Sequence, residues 1–154
     1  MKAWELFENA YLKSVAFLLL ITSAVKFVSA IQKAAALALS DPLIRFLSFK
    51  QISVVAGIVE ITVALYIFKS SNVIRQLGMV AWLALLFIAY HMGLYLIQFH
   101  GVCSCLGNAN SWLKLSDNSI NNLTLGLLAY FSVGSILMLW VRWFQIQRQN
   151  KQRA

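Results

Sequence analysis

The chain has little of what interrupts or hydrates a helix. Among its 154 residues there are one proline, seven glycines and two cysteines, and only 12% of the residues are charged. So few prolines and glycines exclude a collagen-like repeat and a proline-rich linker. The shortage of charge excludes the usual class of disordered proteins, which are polar and highly charged. Apolar residues make up 60% of the whole chain, and its mean hydropathy is +0.73. These values indicate an integral membrane protein.

The charges that are present are mostly positive. Thirteen Lys and Arg stand against five Asp and Glu, giving a formal net charge of +8. In a soluble domain this excess would suggest nucleic-acid binding. Here the basic residues lie between and beyond the apolar runs, whereas phosphate binding needs a basic cluster. We therefore interpret them as topology signals and contacts with the lipid bilayer, and expect no nucleic-acid partner.

Four apolar runs are long enough to cross a bilayer, which takes about 20 mostly apolar residues. They cover about residues 11–31, 52–68, 78–99 and 123–144. We therefore predict an all-α bundle of four transmembrane helices, forming a single integral membrane domain over residues 1–154.

The first loop between spans carries a helix-start signal. Asp41 resembles an N-cap, and Pro42 suits the first helical position. Leu43, Phe46 and Leu47 follow at helical spacing. This pattern predicts a short amphipathic helix in the loop.

The distribution of basic residues predicts the orientation in the membrane. With four spans, both termini and the second-to-third loop share one side. That side carries Lys2, Lys13, Lys69, Arg75, Arg142, Arg148, Lys151 and Arg153, and the other carries Lys33, Arg45, Lys50 and Lys114. The positive-inside rule then places the termini in the cytoplasm of a bacterial inner membrane, with loops 32–51 and 100–122 outside. A signal-peptidase site after Ala30 is the alternative, which Lys26 within the apolar run disfavours.

Three ionisable residues interrupt the spans: Lys26 in the first, Glu60 in the second and His91 in the third. A charge at mid-bilayer costs about 2.5–3.5 kcal/mol on insertion scales, so such residues face the bundle interior or find partners. Small and polar residues accompany the first two at helical spacing. These are Thr22, Ser23 and Ser29 on the first span, and Ser53, Ala56, Gly57 and Ala64 on the second.

Two interpretations of these residues remain open. Lys26 and Glu60 form a buried ion pair that fixes helix order, or the three line a proton route or the site of a redox cofactor such as a quinone. His91 also suits a purely structural role. His91 and His100 are nine residues apart, about 13 Å on one helix, so they do not bind one haem together.

Both cysteines follow the third span, as Cys103-Ser104-Cys105, three residues after His100. Outside the cytoplasm such close spacing suggests dithiol/disulfide chemistry. A disulfide in so tight a ring is strained and labile. His100 is a candidate for lowering a thiol pKa. The alternatives are two unreactive cysteines, or a Cu(I) or Zn(II) site built from Cys103, Cys105 and His100.

The C-x-C-x-G motif after the third span, with Lys26 in the first and Glu60 in the second, resembles the methylamine-utilization protein MauE, a family near the DoxX-like membrane proteins. The family's pattern reads close to C-G-C-F-G. Both cysteines and Gly107 match, whereas Ser104 and Leu106 depart from it. The resemblance covers roughly residues 10–145.

The resemblance implies a role in disulfide handling outside the cytoplasm. It implies thiol–disulfide exchange that supports disulfide formation or maturation of an exported protein, with a thioredoxin-like protein as a partner. The chain has no second cysteine pair, so an electron relay needs a separate protein. The alternatives are a non-catalytic structural or assembly subunit of a membrane complex, and a protein that handles a small solute or a metal.

Overall fold

The computed structural model describes residues 2–31, 40–44, 46–97 and 117–153, which contain four helices and no strand. The helices are α1 (Lys2–Ile31), α2 (Phe49–Lys69), α3 (Val73–Leu96) and α4 (Asp117–Arg153). The prediction of an all-α bundle of four helices is confirmed.

Each helix contains an apolar stretch long enough to cross a membrane, which makes the chain a multi-pass membrane protein. The stretches are Leu6–Ile31, Phe49–Lys69, Val73–Leu96 and Asn122–Arg148. The first three begin three to five residues before the predicted spans. Hydropathy places a boundary where polar residues begin, whereas the helical backbone continues through them to a capping residue. Asn72, for example, accepts a hydrogen bond from the Arg75 amide at 3.2 Å and starts α3.

The four helices form two closely packed pairs. α1 packs chiefly against α2, and α3 chiefly against α4. The apolar core between them is centred on Leu19, Val63 and Leu77, which are almost completely buried. Large apolar side chains such as Phe17 and Leu85, each 63% exposed, cover the outside of the bundle. Such an apolar exterior suits a protein whose solvent is lipid.

The connection between α2 and α3 is short and hydrogen-bonded. The side-chain amide of Gln76 on α3 donates to the Ile67 carbonyl at 2.9 Å and to the Ser70 carbonyl at 2.5 Å. These carbonyls lie at the end of α2, where intrahelical donors run out. Gln76 therefore caps α2 from the neighbouring helix and fixes the hairpin.

The loop before α2 differs from the prediction. Asp41 does behave as a cap, because its Oδ1 accepts from the Leu43 and Ile44 amides at 2.8 and 2.9 Å. However, the Asp41 amide donates to the Leu47 carbonyl at 2.8 Å, so the chain closes into a turn. The short amphipathic helix predicted here is wrong for the described residues between 41 and 47, which form bends and a turn.

The closed turn leaves no room for a helix before α2 begins. It brings Ser40 opposite Ser48, and Ser48 is already the N-cap of α2. Tyr90 of α3 donates to Asp41 Oδ2 at 2.5 Å, and Leu43 lies against Gly93. The turn is therefore held against α3.

The two ends of the bundle differ in which helices begin and finish there. The cysteine end is the end at which α1 and α3 finish and α2 and α4 begin, since the chain segment with both cysteines joins α3 to α4 there. The terminal end is the opposite one, where α1 begins and α4 finishes.

Candidate functional site

Lys26 and Glu60 form an ion pair between α1 and α2, which is the first of the two interpretations that the sequence left open. The Lys26 ammonium donates to Glu60 Oε1, and the two residues are only 3% and 2% exposed. Thr22 donates to the second carboxylate oxygen at 3.2 Å. The ammonium also lies 5.4 Å from the centre of the Phe87 ring, within range of a cation–π interaction. Each member of the ion pair thus has a further partner, the Thr22 hydroxyl for the carboxylate and the Phe87 ring for the ammonium.

Small residues allow this pair to form. Ser23 on α1 donates to the Gly57 carbonyl on α2 at 3.0 Å. A Cβ at position 57 would lie 3.2 Å from the Phe27 ring, so glycine permits the two backbones to approach closely. Gly57 lies one turn before Glu60, and Ser23 one turn before Lys26. The close approach therefore brings the two charged side chains within reach of each other.

A small cavity adjoins the ion pair. Its volume is about 30 Å³, and it is lined by Thr22, Lys26, Glu60, His91 and Thr124, together with apolar residues. This volume exceeds the roughly 15 Å³ that one water molecule requires. The cavity therefore brings together the three ionisable residues that the sequence singled out. The ammonium, the carboxylate and the imidazole thus belong to residues around a space large enough for one water molecule.

A second, larger cavity lies between the same two helices, α3 and the turn before α2. Its volume is about 300 Å³ and its lining is mostly apolar. Three polar side chains also line it: Lys26, Ser53 and Tyr90. Lys26 and Phe87 line both cavities, and so they stand between the small cavity and the large one.

Ser53 is the unusual member of this lining. It is 3% exposed, and its hydroxyl oxygen has no hydrogen-bond partner among the described residues. A buried polar group without a partner costs about 1–3 kcal/mol. The neighbouring serine hydroxyl on α1, Ser23, has the Gly57 carbonyl instead. The Ser53 hydroxyl is therefore a buried polar group that no described residue satisfies.

Both cavities lie in the half of the bundle nearer the cysteine end. Lys26 is five residues before the end of α1, and His91 is five residues before the end of α3, which is about 7 Å along each helix. The predicted residues Cys103, Cys105, His100 and Gly107 lie outside the described residues. Their role in thiol chemistry, or with a metal, stays a prediction.

The structure also contains a polar cluster that the sequence reasoning missed. Glu8 is 1% exposed and accepts from Arg142 of α4 at 2.5–3.0 Å, and from the Trp4 indole at 2.8 Å. Glu8 lies before the first predicted span, so hydropathy does not mark it as an interior residue. Its spacing of three and four residues from Tyr11 and Leu12, both buried, is the signal that marks this face as interior.

Within the described ranges, no three or more His, Cys, Asp or Glu residues are grouped so that they could hold a metal ion. No protein-family model, curated protein or solved structure matches the chain. The resemblance to MauE therefore rests on the sequence motif alone.

Proposed function

We propose that this protein carries out thiol–disulfide exchange through Cys103 and Cys105 at the outer face of a bacterial cytoplasmic membrane, as its resemblance to MauE implies. One structural observation supports the proposal. The polar cluster of Lys26, Glu60 and His91, with its adjoining cavities, lies in the half of the bundle from which the cysteine segment extends.

The exchange proceeds by two thiolate attacks. A thiolate of the partner attacks one sulfur of the Cys103–Cys105 disulfide, forms a mixed disulfide and releases the other cysteine as a thiolate. The partner's second thiolate then attacks the mixed disulfide. The partner leaves with a disulfide, and two electrons and two protons remain on the cysteine pair. His100 stabilises the released thiolate, because a neighbouring cationic imidazole lowers a thiol pKa.

The partner is an exported protein that acquires disulfides, or a thioredoxin-like protein that serves it. Exported proteins keep disulfides because their compartment is oxidising. The ring formed by a C-x-C disulfide is strained, and strain makes a disulfide a stronger oxidant. Electrons therefore flow from the partner to the cysteine pair.

Trapping in the native membrane tests this function. Cells that express the Cys103→Ser or the Cys105→Ser variant are acid-quenched and alkylated, and mixed disulfides are identified by mass. The control is a protein with both cysteines changed to serine and with Phe46→Cys, which places one thiol at an 85% exposed position at the same end. We expect the single-serine variants to trap a partner that the control does not trap.

The opposite result would favour the alternative role. If both cysteines stay reduced, and the single-serine variants trap no more than the control, thiol exchange is wrong. A protein complex that co-purifies equally well with the double-serine variant would then favour a structural or assembly subunit.

A further inference from the structure

The larger cavity lies where the two helix pairs meet. α1 packs chiefly against α2 and α3 against α4, whereas α2 and α3 have few contacts with each other. The cavity extends from Ile52 to Val59 on α2 and from Leu83 to Tyr90 on α3, which is about 10 Å along each helix. We propose that it binds an acyl chain of a membrane phospholipid. This inference is independent of thiol exchange.

The walls of the cavity favour a hydrocarbon. Its lining is almost wholly apolar. The Lys26 ammonium is paired with Glu60, and the Ser53 hydroxyl oxygen is buried within the protein. Tyr90 also lines the cavity, but its hydroxyl donates to Asp41. A buried water needs two to four polar partners, so an apolar cavity of this kind stays dry. A polar ligand would lose its hydration here without gaining hydrogen bonds in return.

The cavity opens toward the bilayer. Val55 on α2 and Leu86 on α3 line it and are 55% and 43% exposed. The exposed side chains of membrane-spanning helices meet lipid tails, which are as apolar as leucine. The mouth between these two residues therefore faces acyl chains. Because phospholipid is the main component of a bilayer, its chains are the apolar groups that meet this mouth most often.

The cavity is large enough for a segment of such a chain. An apolar cavity of about 150 Å³ binds benzene, and this one has a volume of about 300 Å³. Around an empty cavity the side chains would lack the dispersion contacts of a close-packed interior. A chain that enters from the side restores these contacts while its headgroup stays at the membrane surface.

The turn before α2 closes the cavity at the cysteine end. Ile44 and Leu47 line the cavity from this turn, and the hydrogen bond from Tyr90 to Asp41 holds the turn against α3. Entry is therefore from the side, between α2 and α3, rather than from the water at that end. At the opposite end of α2, Gln76 already joins α2 to α3. The bound chain bridges the same two helices in the other half of the bundle.

Photo-crosslinking of the full-length protein tests the site. Nanodiscs of phosphatidylethanolamine and phosphatidylglycerol, part of which carries a diazirine within one acyl chain, are irradiated, and the adducts are mapped by mass spectrometry. Leu83 lines the cavity yet is 2% exposed, so only a chain inside the cavity can label it. On the same helix, Leu85 is 63% exposed to bulk lipid, whereas Val80 is 1% exposed and lines neither cavity. We expect adducts at Leu83 and Leu85 and none at Val80.

Filling the cavity distinguishes a bound chain from lipid at the outer surface. Ala56→Phe adds a ring to a lining residue of α2. Ala89→Phe is the matched control, because Ala89 is exposed on α3 and lies outside the cavity lining. Both positions lie seven residues from the cysteine end of their helices. We expect Ala56→Phe to lower the Leu83 adduct about tenfold, because close packing leaves no room for both the ring and the chain. Ala89→Phe should leave it unchanged, and the Leu85 adduct should persist in both variants.

Native mass spectrometry of the detergent-purified protein identifies the occupant. A phospholipid should remain bound to the unaltered protein and to the Ala89→Phe variant, but not to the Ala56→Phe variant. Adducts confined to Leu85 would overturn the proposal, as would a Leu83 adduct that Ala56→Phe does not reduce. A co-purified prenyl lipid in place of phospholipid would also overturn it. Should Ala56→Phe fail to fold, the ratio of the adducts at Leu83 and Val80 in the unaltered protein still decides the matter, since equal labelling contradicts a chain in the cavity.

Discussion

At the scale of single residues, Lys26 and Glu60 show how a bilayer protein keeps charges in its interior. Neither side chain reaches water, and each has partners besides the other: the Phe87 ring for the ammonium and the Thr22 hydroxyl for the carboxylate. Taking both ions out of water costs several kcal/mol per ion, which their mutual attraction offsets only with such additional partners. The removal of one ion is therefore far more harmful than the removal of both.

We expect Lys26→Met and Glu60→Met each to lower the free energy of unfolding by about 3–5 kcal/mol, since each leaves an unpaired buried charge. The double variant should lose clearly less than the sum of the two. Chemical unfolding in detergent micelles, followed by circular dichroism, measures all three.

Lys69→Met serves as the control for this cycle. Lys69 lies exposed in the last turn of α2, and its replacement should change stability by no more than about 0.5 kcal/mol. Strictly additive losses at positions 26 and 60 would show that the two charges do not stabilise each other.

Residue spacing predicted part of this site and could not predict the rest. The helical spacing from Thr22 to Lys26, and from Gly57 to Glu60, placed both charges on interior faces, and periodicity alone was sufficient for that. The missing partner of Ser53 and the cavity beside it were not predictable. They depend on interatomic distances of a few ångströms between three helices, on which the sequence pattern carries no information.

At the scale of helices, close approach depends on glycines that accommodate a neighbouring side chain. Gly134 on α4 faces Tyr11 on α1, and a Cβ there would lie 2.6 Å from the tyrosine ring. Tyr11 is 6% exposed, and its hydroxyl bonds to the Phe131 carbonyl at 3.2 Å, so the ring has little freedom to move. The hydrogen bond to Phe131 therefore holds the Tyr11 ring in place, and the packing of that ring against Gly134 sets the distance between α1 and α4.

Gly134→Ala should accordingly lower the free energy of unfolding by about 1–3 kcal/mol, as expected for overpacking. Gly126→Ala is the matched control on the same helix, because a Cβ at that position meets nothing within 4 Å. The control should be neutral or slightly stabilising, since alanine favours a helix over glycine by up to about 1 kcal/mol. Thermal unfolding in micelles compares them, and equal losses in the two variants would rule out the Tyr11 contact as the cause.

The turn before α2 shows why a capping signal alone does not predict a helix. Asp41 followed by Pro42 is typical of a helix N-terminus, and Asp41 does accept two backbone amides. The same pair of hydrogen bonds also suits a closed turn. The closed turn forms here instead of a helix because it is stabilised by contacts distant in sequence, from Asp41 to Tyr90 and from Leu43 to Gly93. The sequence around Asp41 alone does not predict contacts with residues about 50 positions away.

At the scale of the whole molecule, polar contacts tie the helices together pair by pair. Lipid provides no hydrophobic driving force for helix association, so buried polar contacts and small residues decide which helices are neighbours. Lys26 and Glu60 join α1 to α2, Gln76 joins α2 to α3, and Glu8 with Arg142 joins α1 to α4. The contacts of Gln76 and Glu8 lie near the terminal end, whereas the cavities lie toward the cysteine end. Both cavities therefore occupy the half of the bundle that these two contacts leave less constrained.

The orientation of this bundle decides which compartment the cysteines meet, and the basic residues predict it. Eight Lys and Arg lie toward the terminal end of the chain's predicted topology, against four toward the opposite side. This asymmetry favours the terminal end in the cytoplasm. In the double-serine background, Phe46→Cys and Ser71→Cys place single thiols at exposed positions at the two ends. A membrane-impermeant maleimide applied to intact spheroplasts should label position 46, and it should label position 71 only after lysis. Denatured samples of both variants control for thiol reactivity. The reverse pattern would place the cysteine end in a reducing compartment, and a disulfide at Cys103 and Cys105 would then lose its oxidising environment.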